Sequence, residues 1–338
     1  LWARLTGRRL RTQSRVDLTL GDPAGEAILR QAIADYLRFS RSIECQPEQI
    51  FITSGYAQSM SLILQTLARP GDSMWVEDPG FPLIYPAIDG EGIQRLPVPV
   101  DHNGMDIEAA ITRWPQARFA LLTPAHQSPL GVALSLPRRR QLLARAAQHD
   151  MWIIEDDYDS EFRYHGRPLP PLKSLDAPQR VIYTGTFSKS LFPAIRTAWI
   201  VVPAAEAAAF RQRINSTPCS VPTLWQCALA DFIQQGHFWR HLKKMRLHYA
   251  QRRAWLEAAL IHYGFNVVPQ HGGIQLVVDI DGDDRAIVAR AQQRGLAVQA
   301  LSDWHSTQPG RSGILMSFTN ITSAEMAMQW VGRLYEKE

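Results

Sequence analysis

No run of apolar residues in this sequence approaches the roughly 20 residues that a helix needs to cross a bilayer. No charged-then-apolar leader opens it either. Together these absences lead us to expect a cytoplasmic protein without a membrane-bound part. Cysteine is scarce: Cys45, Cys219 and Cys227 are the only three, with no Cys-x-x-Cys pair. An odd, scattered set supports neither a disulfide framework nor a thiolate zinc site, and we expect reduced thiols packed for structure. Internal repeats and low-complexity tracts are absent as well. No sign of charge dominates, since 36 Lys and Arg against 32 Asp and Glu leave a formal net charge of +4.

What is present is the composition of an ordinary globular protein, 46% apolar and 20% charged over 338 residues, enough for one large or two ordinary domains. The mild positive charge is unevenly spread. Arg4, Arg8, Arg9, Arg11 and Arg15 crowd the start, and Arg240, Lys243, Lys244, Arg246, Arg252 and Arg253 recur through a helical pattern. Such runs read first as solvated faces and second as surfaces for DNA or a partner domain.

Residues 1–20 read as a linker or arm in which Val16-Asp17-Leu18-Thr19-Leu20 alternates like a strand. Gly21-Asp22-Pro23-Ala24-Gly25 makes a turn, and Ile28, Ile33 and Leu37 begin an amphipathic helix. Seven strand candidates follow: Ile50 to Thr53, Ser73 to Glu77, Ile93 to Pro97, Arg118 to Thr123, Met151 to Glu155, Arg180 to Thr184 and Thr197 to Val202. Helical patterns such as Gln58 to Ala68 and Pro137 to His149 lie between most of them. This alternation predicts an α/β fold with a largely parallel, seven-stranded sheet covered on both faces, over a large domain 21–205. Beyond it, helical patterns at about 204–216 and 222–262 lead to strand candidates Gly273 to Asp279 and Ile314 to Phe318 and a last helix near Ser323 to Tyr335. We expect residues 206–338 to form a smaller α+β domain.

In a parallel sheet, ligands bind at the carboxyl ends of the strands, and those ends are where the polar residues gather. Ser54-Gly55-Tyr56 turns from a strand into a helix, where backbone N–H groups can hold a phosphate, although Ser54 can equally only shape the turn. Asp78-Pro79-Gly80-Phe81-Pro82 places Phe81 at a strand mouth, either stacked on a flat ring or packed in the core. Ile153-Ile154 runs into Glu155-Asp156-Asp157-Tyr158-Asp159, and a carboxylate there can pair with a protonated pyridine nitrogen. Val181-Ile182-Tyr183-Thr184 leads into Gly185-Thr186-Phe187-Ser188-Lys189-Ser190 and on to Arg196. A lysine desolvated at a sheet mouth favours the neutral amine that forms a Schiff base. Thr186, Ser188 and Arg196 supply donors for an anion. Amine and anion site together suggest pyridoxal phosphate, whereas the Ser-Lys pair taken alone reads as a solvated loop.

The order of glycine turn, proline-aromatic turn, Asp-x-Tyr, lysine loop and downstream arginine resembles fold type I pyridoxal-phosphate proteins, the aspartate aminotransferase group. More narrowly, Thr123-Pro124-Ala125-His126-Gln127-Ser128-Pro129-Leu130-Gly131, Ile153 to Phe162 and Tyr183 to Arg196 resemble the MocR-type branch of the GntR regulators. Those proteins join a winged helix-turn-helix to an aminotransferase-like effector domain. The resemblance implies that Lys189 forms the internal aldimine, that Asp156 rather than Asp157 pairs with the pyridine nitrogen, and that Tyr158 bonds the ring hydroxyl oxygen. It implies Ser54, Gly55, Tyr56, Thr186, Ser188 and Arg196 around the phosphate, and Phe81 on the ring, with Tyr85 as its substitute. It further implies a homodimer, an amine or amino-acid effector or the cofactor itself as the signal, and DNA binding through a winged helix-turn-helix missing from this chain.

The sequence departs from that pattern in three places. Ser128-Pro129-Leu130-Gly131 stands where catalytic aminotransferases have Asn-Pro-x-Gly, so His126 or Gln127 is left to replace the amide contact to the ring oxygen. Leu315 occupies the position of the carboxylate-binding arginine, with Arg311 as a nearby substitute. The family also carries a longer segment between Leu20 and Gly21. Two functions follow: an effector-sensing domain of a transcriptional regulator, or an active aminotransferase. A third possibility is an α/β protein with a vestigial pocket.

Overall fold

The computed structural model describes residues 1–12, 19–216, 221–307 and 310–335. Its large sheet is built from β1 (Ile50–Thr53), β2 (Ser73–Asp78), β3 (Gln94–Asp101), β4 (Gly104–Met105), β5 (Phe119–Leu122), β6 (Trp152–Asp157), β7 (Val181–Thr186) and β8 (Ala198–Val201), in the order β1-β8-β7-β6-β5-β2-β3-β4. The five strands from β7 to β3 run parallel, while β8 is antiparallel to both β7 and β1. All seven strands expected from the apolar runs are present. The eighth, β4, is two residues paired with β3 at the edge, too short to leave a pattern in the sequence.

Burial on both faces explains why β5, β6 and, as far as Gly185, β7 are continuously buried, whereas β3, next to the sheet edge, buries only Leu96 and Val98. Successive residues of β6 divide between the faces: Ile154 packs with Met60, Ile63 and Val76 under helix Tyr56–Leu67, and Ile153 packs with Leu142, Ala146 and Leu122 under helix Leu136–Gln148. A second, antiparallel sheet follows, in the order β11 (Gln299–Ala300), β12 (Gly313–Ser317), β10 (Gln275–Asp279), β9 (Asn266–Val267). Leu276, Val278, Ile314 and Met316 of that sheet share a core with Leu256 and Leu260 of helix His237–His262 and Val331 of helix Ala324–Tyr335.

Three expectations change. The helical pattern over 222–262 is two helices, Thr223–Gln234 and His237–His262, because Gly236 adopts φ +71°, a conformation that breaks a helix and that glycine enters at little steric cost. The segment expected as a linker or arm begins with a helix, Trp2–Arg11. Its apolar residues are few but correctly spaced, with Leu5 buried and Trp2 stacked on Trp225 at 5.9 Å between ring centroids. Its arginines are partly claimed, Arg8 and Arg9 both reaching Asp231 at 2.7 and 2.6 Å. The strand expected over Val16 to Leu20 falls largely on residues 13–18, outside the described residues; Thr19 and Leu20 belong to no strand. Within the basic helix, Arg240, Lys243, Lys244 and Arg246 are exposed, but Arg253 is buried against Glu257 and the Gln270 carbonyl oxygen.

Candidate functional site

The carboxyl ends of β6 and β7 open into a cavity of about 350 Å³. Asp156 and Tyr158 line it from β6 and the turn after it. Thr186 ends β7, and Ser188 and Lys189 lie on the single helical turn Phe187–Ser190. Thr186 caps that turn, its Oγ1 accepting from the Ser188 N–H at 3.1 Å. Tyr56, Phe81 and Arg196 complete the large-sheet side. Ile274, Gln275 and Trp304 close the opposite side from the second sheet and the turn Leu301–Trp304. The two halves are tied beside the cavity: the Gly80 N–H donates to the Trp304 carbonyl at 3.1 Å, and the Ser306 N–H and Thr307 hydroxyl donate to Asp78.

Among the described residues, the buried carboxylate of Asp156 has hydroxyls but no cation on it. Thr184 Oγ1 lies 3.3 Å from Oδ1, and the Tyr56 hydroxyl also bonds it. Burial raises its pKa to about 7, with the charge of Asp157 adding to the effect and the two hydroxyls opposing it. Asp157, next along the strand, points the other way. Arg41 Nε meets its Oδ2 at 3.0 Å and the Tyr183 hydroxyl donates to the same oxygen at 2.5 Å. Burial pushes Asp157 upward too, but Arg41 and the hydroxyls outweigh it and hold the group below the usual carboxylate range. Tyr56 and Tyr158 are both pushed well above the ordinary phenol value by burial, so both stay protonated.

Lys189 lines the cavity but is exposed, so the burial expected to desolvate it is not supplied by this chain. Arg196 is exposed as well and sits at φ +44°. Its guanidinium approaches Gly55 so closely that a Cβ there would stand 2.8 Å from Nη2. Gly55 itself adopts φ +118° at the cap of helix Tyr56–Leu67, so glycine is required both by conformation and by the approach of the arginine. Among the described residues, neither Lys189 nor Arg196 enters an ion pair.

Six sequence-predicted residues, Ser54, Gly55, Tyr85, His126, Gln127 and Arg311, are not among the described residues lining the cavity. Ser54 bonds Gln58 at the head of the helix, its N–H donating to Oε1 at 2.5 Å, and Gly55 lies behind Arg196. Gln127 is buried, its amide donating to the carbonyls of Pro79 and Ser128 at 2.8 Å each while its Oε1 accepts from the Leu130 N–H. Arg311 pairs with Asp279 at 2.6 Å beside a different hollow. His126 lies behind Tyr158, with Nδ1 3.0 Å from the phenol oxygen. Leu315, at the place expected of a carboxylate-binding arginine, is buried among Leu130, Val277 and Trp304. Sequence reasoning missed Trp304, Ile274 and Gln275, which no local pattern marks, and it treated Ser128 only as a departure although it lines the cavity.

A mixed, mostly parallel large sheet with an Asp-x-Tyr and a lysine turn at its carboxyl ends, joined to a small antiparallel sheet, is the fold type I aminotransferase architecture. A kynurenine aminotransferase from Pyrococcus horikoshii superimposes with a TM-score of 0.89 at 26% identity, over 99% of this chain and 85% of that one. The chain belongs to the aminotransferase class I and II family, whose model matches residues 5–328. It is 36% identical over 330 residues to the probable rhizopine catabolism regulatory protein MocR of Rhizobium meliloti, covering 96% of this chain and 66% of that protein. It is 34% identical to the pyridoxine biosynthesis regulator PdxR of Corynebacterium glutamicum, over 90% of this chain and 66% of that protein. It is also 27% identical to aromatic-amino-acid aminotransferase 1 of Thermococcus litoralis, over 94% of this chain and 79% of that enzyme. The chain therefore spans about two thirds of the length of the regulators it matches, and it is an aminotransferase-like domain homologous to a part of these MocR-type proteins.

Proposed function

We propose that this chain is the pyridoxal-phosphate-binding, effector-sensing domain of a MocR/GntR-type transcriptional regulator, responding to an amine, an amino acid or the cofactor itself. The observation that carries the reading is the donor set of the cavity. A buried carboxylate, Asp156, shares one space with an amine, Lys189, and a guanidinium, Arg196, and none of the three enters an ion pair among the described residues. That set fits the group: Asp156 would take the pyridinium N–H, and Lys189 Nζ would hold the cofactor covalently. Arg196, Ser188, Thr186 and the N–H groups after Gly55 would receive its phosphate. Tyr158 would meet the ring oxygen, and Phe81 would lie against the ring. When bound, the cofactor supplies a carbonyl carbon that exchanges its lysine nitrogen for that of an incoming amine. Tyr56, tied to Asp156, fixes that carboxylate in place, and Trp304, Ile274 and Gln275 exclude water from the far side of the cavity.

The same reading divides the chain into an arm over 1–20, a cofactor domain over 21–205 and a small domain over 206–338. It puts the whole protein in the cytoplasm as a homodimer whose DNA contacts come from a winged helix-turn-helix absent from this chain. A ligand that frees Lys189 and packs on Trp304 would bias the placement of the small domain, the kind of two-state element a sensor needs. An active aminotransferase is the second reading, favoured by the same lysine and aspartate at one cavity. Leu315, buried in an apolar cluster, argues against it, because it cannot clamp a carboxylate.

Visible absorbance of the purified chain with pyridoxal phosphate, titrated with amines and amino acids and then with a 2-oxo acid, tests the reading. A band that moves on amine addition and then stays marks a sensor, whereas turnover restored by the oxo acid marks a transaminase. Lys189→Ala should abolish the lysine-dependent band; an unchanged spectrum would sink both readings. Asp156→Ala should loosen cofactor binding by roughly 10–100-fold, the worth of a charge-assisted hydrogen bond of about 1.5–3 kcal/mol.

A further inference from the structure

Behind the cavity, three side chains form a chain of contacts that the reading above does not use. His126 Nδ1 lies 3.0 Å from the Tyr158 hydroxyl and 3.1 Å from Asp159 Oδ1. His126 is 7% exposed and Asp159 2%. His126 Nε2 and Asp159 Oδ2 have no partner among the described residues, so this imidazole is the one described side-chain partner of a buried carboxylate. A carboxylate only accepts hydrogen bonds, so Nδ1 must carry the proton in this contact; a lone pair there would face the oxygen repulsively. The Nδ1–H is then shared between Asp159 and the phenol oxygen. The phenol accepts from the imidazole on one side and keeps its own proton to donate on the cavity side, where the Ser128 hydroxyl also hydrogen-bonds it. A hydroxyl that accepts from a polarised N–H is a stronger donor in turn.

We propose that His126 and Asp159 are positioning residues for Tyr158: Asp159 holds the Nδ1–H tautomer, and His126 binds the phenol oxygen so that its proton is turned into the cavity toward the ring oxygen of the bound cofactor. This rests on the pyridoxal-phosphate reading. His126 therefore acts through Tyr158 and not by touching the ring, which is why it is buried behind that tyrosine. The second sheet's side of the molecule supports the arrangement. Gly273, one residue before the cavity-lining Ile274, adopts φ +87°, and a Cβ there would fall 2.2 Å from His126 Cε1. The imidazole is thus seated against the segment that closes the cavity. The charged and titratable groups facing this chain are Asp156 and Glu77 on the large-sheet side, Tyr164 and Arg253 around the Gly272–Gly273 turn, and Lys189 across the cavity. Among the described residues His126 is the one nitrogen donor hydrogen-bonded to the phenol, and the Ser128 hydroxyl is its other side-chain partner.

The test is the pH midpoint of the visible band of the cofactor-loaded chain. A good donor to the ring oxygen stabilises its charged form, so losing that donor should raise the midpoint, as Tyr158→Phe does directly. His126→Phe and Asp159→Asn should each raise it by about 0.5–1 unit, the scale of one altered hydrogen bond. His126→Asn, whose amide N–H can stand where Nδ1–H stood, should stay close to the unsubstituted chain, and Tyr158→Phe combined with His126→Phe should add nothing to Tyr158→Phe alone. A midpoint that moves in Tyr158→Phe but in neither His126→Phe nor Asp159→Asn overturns the proposal, as does His126→Asn moving as far as His126→Phe. If no visible band forms in the unsubstituted chain, the cofactor reading fails separately. Ring ¹⁵N spectra of the cofactor-free chain then decide the remainder: an Nδ1–H tautomer at His126 that Asp159→Asn abolishes supports the hydrogen-bond chain, and any other tautomer refutes it.

Discussion

Asp156 and Asp157 are consecutive on β6, equally buried, and chemically opposite. The pleat sends one into the cavity and the other to the far face of the sheet. On that far face Arg41 reaches both Asp157 and Glu161, at 3.0 and 3.4 Å, while Tyr183 and Tyr36 donate to the same two carboxylates. That charge is compensated inside the chain and serves the fold. Asp156 has hydroxyls but no cation, and burial holds it near neutral titration, at about 7. A buried carboxylate ion-paired inside the chain serves the fold, whereas one that lines a cavity with hydroxyls alone is a candidate for a site.

Four substitutions break or sharpen this contrast, and the largest effect belongs to the structural face. Arg41→Met leaves two buried carboxylates without their cation and should cost about 3–5 kcal/mol of stability by denaturant unfolding, enough to unfold a marginal domain. If it costs under about 1 kcal/mol, the far face is not what holds Asp157. Asp156→Asn should do the reverse in the cofactor-free chain. A folded-state value of about 7, above an unfolded value near 3.9, means that the folded form binds the extra proton between roughly pH 4 and 7. Stability therefore falls as pH rises through that window. The substitution should flatten this fall and stabilise the chain by roughly 1–4 kcal/mol at pH 8. Asp157 has the opposite sign: its contribution is present above its unfolded value and disappears as the pH drops below about 4.

Smaller effects should rank by hydrogen-bond quality. Tyr183→Phe removes a short bond to a buried carboxylate and should cost about 1.5–3 kcal/mol in thermal or chemical unfolding. Thr184→Val removes only the 3.3 Å contact on Asp156 and should change stability by about 0.5 kcal/mol or less. Finding Thr184→Val the costlier of the two would mean that Asp156, not Asp157, is the anchored member of the pair.

Much of this protein is legible in the order of its residues. Seven strand candidates, most of them uninterrupted apolar runs separated by helical spacings, point to a parallel sheet buried on both faces, because a layer of helices on each side hides such runs. The carboxyl ends of those strands bound the cavity, which is why Asp156, Tyr158, Thr186, Ser188, Lys189 and Arg196 are legible in the sequence as one group. The helix Trp2–Arg11 was not, because its burial depends on Trp225 and Asp231, more than 200 residues away. Nor did the break at Gly236 stand out, since a lone glycine in a helical pattern signals a boundary only when packing needs one.

Local order could equally name His126, Gln127 and Arg311 as candidates, but not say which of them faces the cavity. Gln127 is turned into its own loop, Arg311 to Asp279, and His126 to Tyr158 and Asp159. The sequence by itself determined the sheet, the edge where the cavity opens and the residue types gathered there, because hydrophobic period and strand-end position are local properties. Only the tertiary structure decided which carboxylate is neutralised within the chain, which side chains close the cavity from the second sheet, and which histidine backs which tyrosine. Those outcomes depend on distances between segments far apart in the chain, and nothing in a local pattern encodes them.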